Sequence, residues 1–330
     1  MAHEIDTSKG FAAMAYIGNT PWHGLGQVMA KGASIEQWQT AAGMDFSIQE
    51  TPVYYQSDDN NVFVMGMPKV AGKKVLVRSD TRKALAVVSK KYQVVQPQEV
   101  LEFYRDLTAK AGFDMETAGV LRGGTKYWAL ASMGQEAKVL DDTIKGYLLL
   151  GTACDGSMAT TAMFTSVRVV CNNTLGFAMQ EAEGKTKHVV RVSHRSVFDE
   201  AAVKAQLGIA ATSWDSFIRS VETWSSVGVN SDQAKQYFDS IASYQTTDGD
   251  VVVSKKTTER LMALFNGQGK GSQLSSAKGT VWGLVNAVTE FVDHHRGRTS
   301  DVRIDRAWFG DGQAIKLTAT TLADDLVAAI

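Results

Sequence analysis

The chain is short of cysteine, proline and net charge, and each shortage removes a class of protein. Two cysteines in 330 residues, Cys154 and Cys171, give no disulfide framework and no metal-ligand spacing. They read as small apolar residues in a reducing compartment. Four prolines beside 29 glycines exclude a proline-rich chain and leave little room for long linkers. Basic residues number 34 against 35 acidic ones, so the formal charge is −1 and the overall basic excess of a nucleic-acid coat is missing. Any such role must come from local patches. No apolar run approaches the roughly 20 residues that span a bilayer. The acidic opening Met1–Asp6 is unlike a signal peptide, so the chain reads as cytoplasmic with no membrane partner.

Catalytic and cofactor motifs are missing too. Gly184-Lys185-Thr186 ends like a phosphate-binding loop, but Met179 stands where the motif needs its first glycine. Gly267–Gly271 follows a predicted helix where a dinucleotide fingerprint needs a strand. Asp293, His294, His295 and His194 invite a metal reading. Adjacent histidines on a helix point about 100° apart, however, and do not chelate together. There is no nucleophile elbow. A nuclease site would have to gather carboxylates such as Asp141, Asp142, Asp155, Asp324 and Asp325 from distant segments. The expectation is a protein with no catalytic residue, no metal and no cofactor, and not an enzyme.

What is present is ordered secondary structure. Ser34 with Gln37 forms a capping box opening a helix that Gly43 stops. Phe46 and Ile48 alternate with polar neighbours as a strand that could extend to Val53, Asp58–Asn61 marks a turn, and Val62–Met67 reads as the next strand. Lys74–Ser79 and Ala84–Ser89 form a hairpin pair. Pro97 begins a helix to about residue 111 with Val100, Leu101, Tyr104 and Leu107 as its buried stripe. Phe113–Leu121 and Tyr127–Met133 pair across Arg122–Thr125.

The longest hairpin joins Gly146–Ala153 to Ser157–Cys171 through Asp155-Gly156, a strong two-residue turn signal. A helix is expected over Cys171–Met179. Further helices are expected over about 197–207, 212–227, 231–243, 257–266 and 279–294, with a flexible stretch at 244–256 and a mobile loop at Gly267–Gly271. The fold class is therefore α+β. An antiparallel sheet with a long β-hairpin packed by helices fills a core domain over 1–196, and a mainly helical C-terminal part follows over 197–330.

Basic residues recur at predicted strand ends and turns, with aromatics interleaved. They are Lys90, Lys91, Arg122, Lys126, Arg168, Arg191, His194 and Arg195, beside Tyr92 and Tyr127. Single-stranded nucleic acid is held by cations along its backbone and by aromatic faces under its bases, which suits this pattern. Arg168, between Val167 and Val169, is costly mid-strand without a partner or a ligand.

Several segments in order carry a family resemblance: Ala15–Tyr16, Thr20–Gly26, Leu76–Asp80, Val87–Pro97, Leu121–Gly124, Tyr147–Leu150, Cys154–Ser157, Arg168–Leu175, Gly279–Gly283, Asp293–His294 and Ala307–Gly310. Together they resemble the phage/plasmid-like protein family, found on bacteriophages, plasmids and prophages. The resemblance brings no activity and no catalytic residue. It implies a mobile-element setting in a bacterial host, among replication and recombination functions. A sheet with a long hairpin and flanking helices is also similar to the core of single-strand annealing proteins, which form rings or filaments; that is analogy of fold alone. The leading expectation is single-stranded DNA binding and strand annealing by a homo-oligomer. The alternative is a non-enzymatic interaction protein that blocks a host defence or regulatory factor.

Overall fold

The computed structural model describes residues 4–18, 24–56, 67–110, 112–168, 173–176, 179–180, 186–187, 189–207, 210–296 and 303–330. Over these residues the fold is α+β, with sheets that are antiparallel apart from the parallel pair Met14–Tyr16 and Gln27–Val28 first and mainly helices after residue 200. Two compact units divide it. The first comprises Met1–Ser132, Leu148–Met163 and Val189–Leu207; the second comprises Met133–Tyr147, Phe164–His188 and Gly208–Ile330.

The main sheet runs in the order Asn173–Gly176, Thr160–Arg168, Asp142–Ala153, Lys126–Val139, Asp114–Leu121, Met14–Tyr16, Gln27–Val28. Val190–Val192 adds to it by pairing antiparallel with Thr160–Ala162. The expected long hairpin is present, but its strands Asp142–Ala153 and Thr160–Arg168 are joined over 154–159 rather than by a two-residue turn, with Gly156 at φ 80° in that loop. So is the pairing of Asp114–Leu121 with Lys126–Val139 across the turn Arg122–Gly124.

In the first unit, the capping box forms as expected. Ser34 Oγ accepts from Gln37 N at 3.3 Å, while Gln37 Oε1 accepts from Ser34 N at 2.8 Å. The helix Ile35–Ala41 buries Ile35 and Trp38. Gly43 has φ 69°, and a Cβ there would stand 2.6 Å from Ala13 Cβ, so both conformation and space demand glycine. The helix Pro97–Lys110 buries Val100, Leu101, Phe103 and Tyr104. Tyr104 shares its hydroxyl hydrogen between the carbonyls of Ala129 and Leu148, at 2.8 and 3.0 Å, which pins that helix across two strands. A second sheet joins Ile48–Tyr54, Lys69–Arg78 and Ala84–Ser89, all antiparallel. Asp58–Asn61 and the expected strand after it lie outside the described residues, apart from Met67.

In the second unit, the helices Ala210–Ser226, Ser231–Ala242, Lys255–Ala263, Val281–Glu290, Arg303–Phe309 and Asp311–Ala329 form the core. Every residue of Val281–Glu290 is buried. Trp282 stacks on Trp224 at 6.1 Å and donates its indole N–H to Asp142 Oδ2 at 3.0 Å. Gly146 lets Trp214 close on the strand, since a Cβ there would meet its ring at 2.9 Å. Deep in this unit Lys316 donates to Asp293, and both side chains are shielded from solvent.

Two local expectations are corrected. Asn173–Gly176, expected at the start of a helix, is a strand paired antiparallel with Arg168–Thr165. The edge of Ser166–Arg168 offers backbone donors and acceptors that a returning strand satisfies and a helix leaves bare. The stretch 244–256 contains a hairpin, Ser243–Gln245 with Val251–Val253, and the helix Lys255–Ala263 begins inside it. Asp248-Gly249, with Gly249 at φ 91°, supplies the turn and three consecutive valines supply the β-branched strand.

Candidate nucleic-acid interface

Four loops of the first unit, far apart in sequence, meet at the turn of the Asp155-Gly156 hairpin. Tyr92 donates its hydroxyl to Ala153 O at 2.8 Å. Cys154 N donates to Thr125 O at 2.8 Å, which ties the hairpin to the Arg122–Gly124 turn. Gln93 N donates to His194 O at 2.7 Å, and the His194 ring lies between two carbonyls: Nδ1 is 2.9 Å from Gln93 O and Nε2 is 3.1 Å from Met158 O. Tyr92 stacks on the same imidazole at 4.5 Å, with 15° between the ring planes. The segments 90–93, 122–126, 153–158 and 193–195 are thus fastened together by main-chain bonds and by the Tyr92 and His194 side chains.

Beneath this cluster lies a buried guanidinium. Arg78 has no exposed side-chain surface. It forks onto Asp80 at 2.8 and 3.1 Å, reaches Asp6 at 2.5 Å and Gly123 O at 3.1 Å, and sits 4.0 Å from the centre of the Phe46 ring. A Cβ on Gly124 would approach Arg78 Nη1 to 3.0 Å, and Gly124 holds φ 106°. The Gly-Gly turn is therefore moulded on that side chain. Burial pushes the carboxyls of Asp6 and Asp80 up, but hydrogen bonds from Arg78 outweigh it and hold both below 3.8. Burial pushes the Cys154 thiol up to about 12, which makes it a packing group rather than a nucleophile.

The predicted binding residues separate into two sets. Lys90, Lys91, Arg122, Arg191 and Arg195 are exposed. Arg122, with φ 53°, pairs with Glu4 at 2.6 Å. Tyr127 is fully buried with its hydroxyl donated to Val95 O, and Lys126 is 4% exposed, so neither presents itself to a ligand. Both are corrected from surface to core, because the strand they open is covered on both faces. His194 is buried and acts as a clamp between Gln93 and Met158. Tyr92 is half-buried, with one ring face occupied by His194. Burial pushes its phenol above the ordinary value. The side chain of Arg168 lies outside what is described; its backbone pairs with Asn173.

Sequence reasoning passed over Lys83 and Lys74. Lys83 is exposed, and its ammonium stands 3.6 Å from where a Gly123 Cβ would be, which adds a cation beside the same turn. Lys74 is buried, donating to Glu50 at 2.6 Å and to Tyr92 O at 2.7 Å, and so supports the loop that carries Lys90 and Lys91. Only its place opposite Glu50's strand marks it, and register is invisible before pairing is known. Among the described residues, Lys83, Lys90, Lys91 and Arg195 make no ion pair, while Asp80 and Glu4 are engaged by arginines. The rim is locally cationic despite the balanced chain.

Among the described residues no group of three or more His, Cys, Asp or Glu side chains is placed to hold a metal ion. Two of the suspected carboxylates accept hydrogen bonds within the second unit. Asp141 accepts from the backbone N–H of Ser275 and Ser276, bonds that hold it down at about 2; Asp324 accepts from the Trp224 indole. None of the described helices is long and apolar enough to cross a membrane.

No curated protein matches the chain, and no solved structure matches it. A family model described as Domain of unknown function (DUF932) matches residues 84–308, more than half of the chain and all of the segments from Lys90 to Arg195 that build the rim. The chain therefore belongs to the family described as Domain of unknown function (DUF932).

Proposed function

We propose that the loop rim of the first unit binds single-stranded DNA along its phosphate backbone, and that the chain acts as a homo-oligomer that promotes strand annealing rather than as an enzyme. The observation that carries the reading is that the loops bearing Lys90, Lys91 and Arg195 are fastened through Tyr92 and His194 to the hairpin around Asp155-Gly156, with Lys83 beside the neighbouring Gly123 and no carboxylate engaged to any of these cations among the described residues. Cations fixed on short, mutually bonded loops lose little freedom when they meet a phosphate chain. With Tyr127 in the core and Tyr92 covered on one face, stacking contributes little. Binding is then mainly electrostatic and tolerant of sequence. A phage or plasmid setting in the bacterial cytoplasm, as the resemblance implies, fits an annealing role.

The triple variant Lys90→Glu/Lys91→Glu/Arg195→Glu tests this. Each phosphate contact on a single strand contributes about −0.7 to the slope of log K against log salt, so losing three flattens the slope by about 2. Affinity for an oligo-dT at low salt is expected to fall at least about tenfold. Lys138→Glu, an exposed charge reversal in the second unit, is the control and should leave binding near that of the parent. A triple variant that binds like the parent would remove the rim from the account.

A further inference from the structure

The hairpin Ser243–Gln245 with Val251–Val253 in the second unit has an open edge with unusual chemistry. Val251, Val252 and Val253 are 72%, 39% and 39% exposed, beside Tyr244 at 55%. The bonds Thr246 N to Asp250 O at 2.8 Å and Ser254 N to Ala242 O at 3.1 Å flank the hairpin. Antiparallel ladders alternate, so Tyr244 and Val252 form the hydrogen-bonded pair between those two bonds. The N–H and C=O groups of Val251 and Val253 then face the other way. No further strand pairs with that side among the described residues.

Natural edge strands are usually guarded by proline, a bulge or a charge within the strand. None of these stands within Val251–Val253. Charges stand only at its ends: Asp248 and Asp250 before it, Lys255 and Lys256 after it, all exposed and without an ion pair among the described residues. That order complements itself. An identical strand set antiparallel, with Val252 on the two-fold axis, places Val251 opposite Val253 of the second copy. Four main-chain hydrogen bonds can then form, and the acidic end of each strand lies along the basic end of the other. A parallel neighbour would set acid beside acid and base beside base.

We propose that this edge is a self-association surface, where two copies of the chain join antiparallel through Val251–Val253. The contact would serve the homo-oligomer proposed above but does not depend on nucleic-acid binding. A two-fold contact of this kind closes at a dimer, so a ring or filament needs a second surface.

Sedimentation equilibrium of the full chain tests the proposal. The parent is expected to show a weak, concentration-dependent dimer. Val251→Pro removes an outward N–H and no bond inside the hairpin, so it should weaken the dimer about tenfold with unchanged far-UV circular dichroism. Asp248→Lys and Lys256→Asp should each weaken it alone, because like charges then meet at both ends. An equimolar mixture of the two restores opposite charges at both ends and should restore the dimer. That rescue reads the contact even if the proline variant misfolds. A parent that stays monomeric throughout, or a dimer that the charge reversals leave intact, would overturn the proposal. DNA binding by the same variants, measured separately, shows whether the rim reading stands or falls on its own.

Discussion

Arg78→Ala is expected to destabilise the first unit by about 3–5 kcal/mol, the cost of removing one partner from a buried ion pair. The side chains of Arg78 and Asp6 are 0% and 4% exposed, so the truncation leaves a carboxylate stranded out of water. It also frees Gly123 O and empties the space against which Gly124 and Phe46 pack. Arg78→Lys should cost less but still clearly destabilise, because an ammonium cannot fork onto Asp80 while reaching Asp6 and Gly123. The pH dependence has a definite sign. Asp6 and Asp80 are held below 3.8 in the fold, so their contribution is fully present above that value and is lost as pH falls through their lower folded values. The gap between parent and Arg78→Ala, followed by urea unfolding, should therefore be widest near neutrality and narrow below pH 3.8. A constant gap across that range would show that Arg78 matters for its bulk alone.

Lys316→Met is expected to cost a similar amount in the second unit. Lys316 is fully buried and donates to Asp293 from the middle of the helix Asp311–Ala329. Methionine fills much of the same volume, so the loss is chiefly electrostatic: a buried carboxylate without its ammonium, about 3–5 kcal/mol. Adding Asp293→Leu should recover most of that loss, since a well-packed apolar pair often matches a buried ion pair. The cycle is read by thermal unfolding of the four proteins. A Lys316→Met variant within about 1 kcal/mol of the parent would show that Asp293 finds equivalent partners once the lysine is gone. Together the two arginine and lysine substitutions probe each unit through its own buried charge.

Much of the fold was legible because its signals are local. The capping box at Ser34, Gly43 beyond the helix and the turn at Arg122–Gly124 all act within a few residues and appear in the structure, and the chain reverses around Asp155-Gly156 as expected, though over a longer loop. The failures have physical causes. Tyr127 and Lys126 were expected at the surface because they follow a predicted turn, where side chains usually meet water. Residues 126–131, 148–153 and 160–166 are buried on both faces, and there the alternation disappears. Residues 173–176 carry no strong strand pattern of their own; their pairing is dictated by the edge of Thr160–Arg168. The hairpin at Asp248-Gly249 carried the same dipeptide as the long hairpin, and the polar residues around it masked the three valines.

The candidate rim was legible only as parts. Lys90, Lys91 and Arg195 could be named from their basic neighbourhoods, but the grip of His194 on Gln93 and Met158 spans 101 and 36 residues. No pattern in the chain announces such contacts. Arg78 was visible in the segment Leu76–Asp80, yet its pairing with Asp6, 72 residues away, follows from register and not from composition.

The central claim is that the loops around Asp155-Gly156 hold single-stranded DNA by its phosphates. Its most direct test is a fluorescence anisotropy titration of the intact protein against a labelled oligo-dT and a mixed-sequence strand across a range of salt. The account predicts saturable binding at low salt, little difference between the two strands, and an affinity that falls linearly in log–log form as salt rises. No binding at low salt, or binding that salt leaves unchanged, would contradict it.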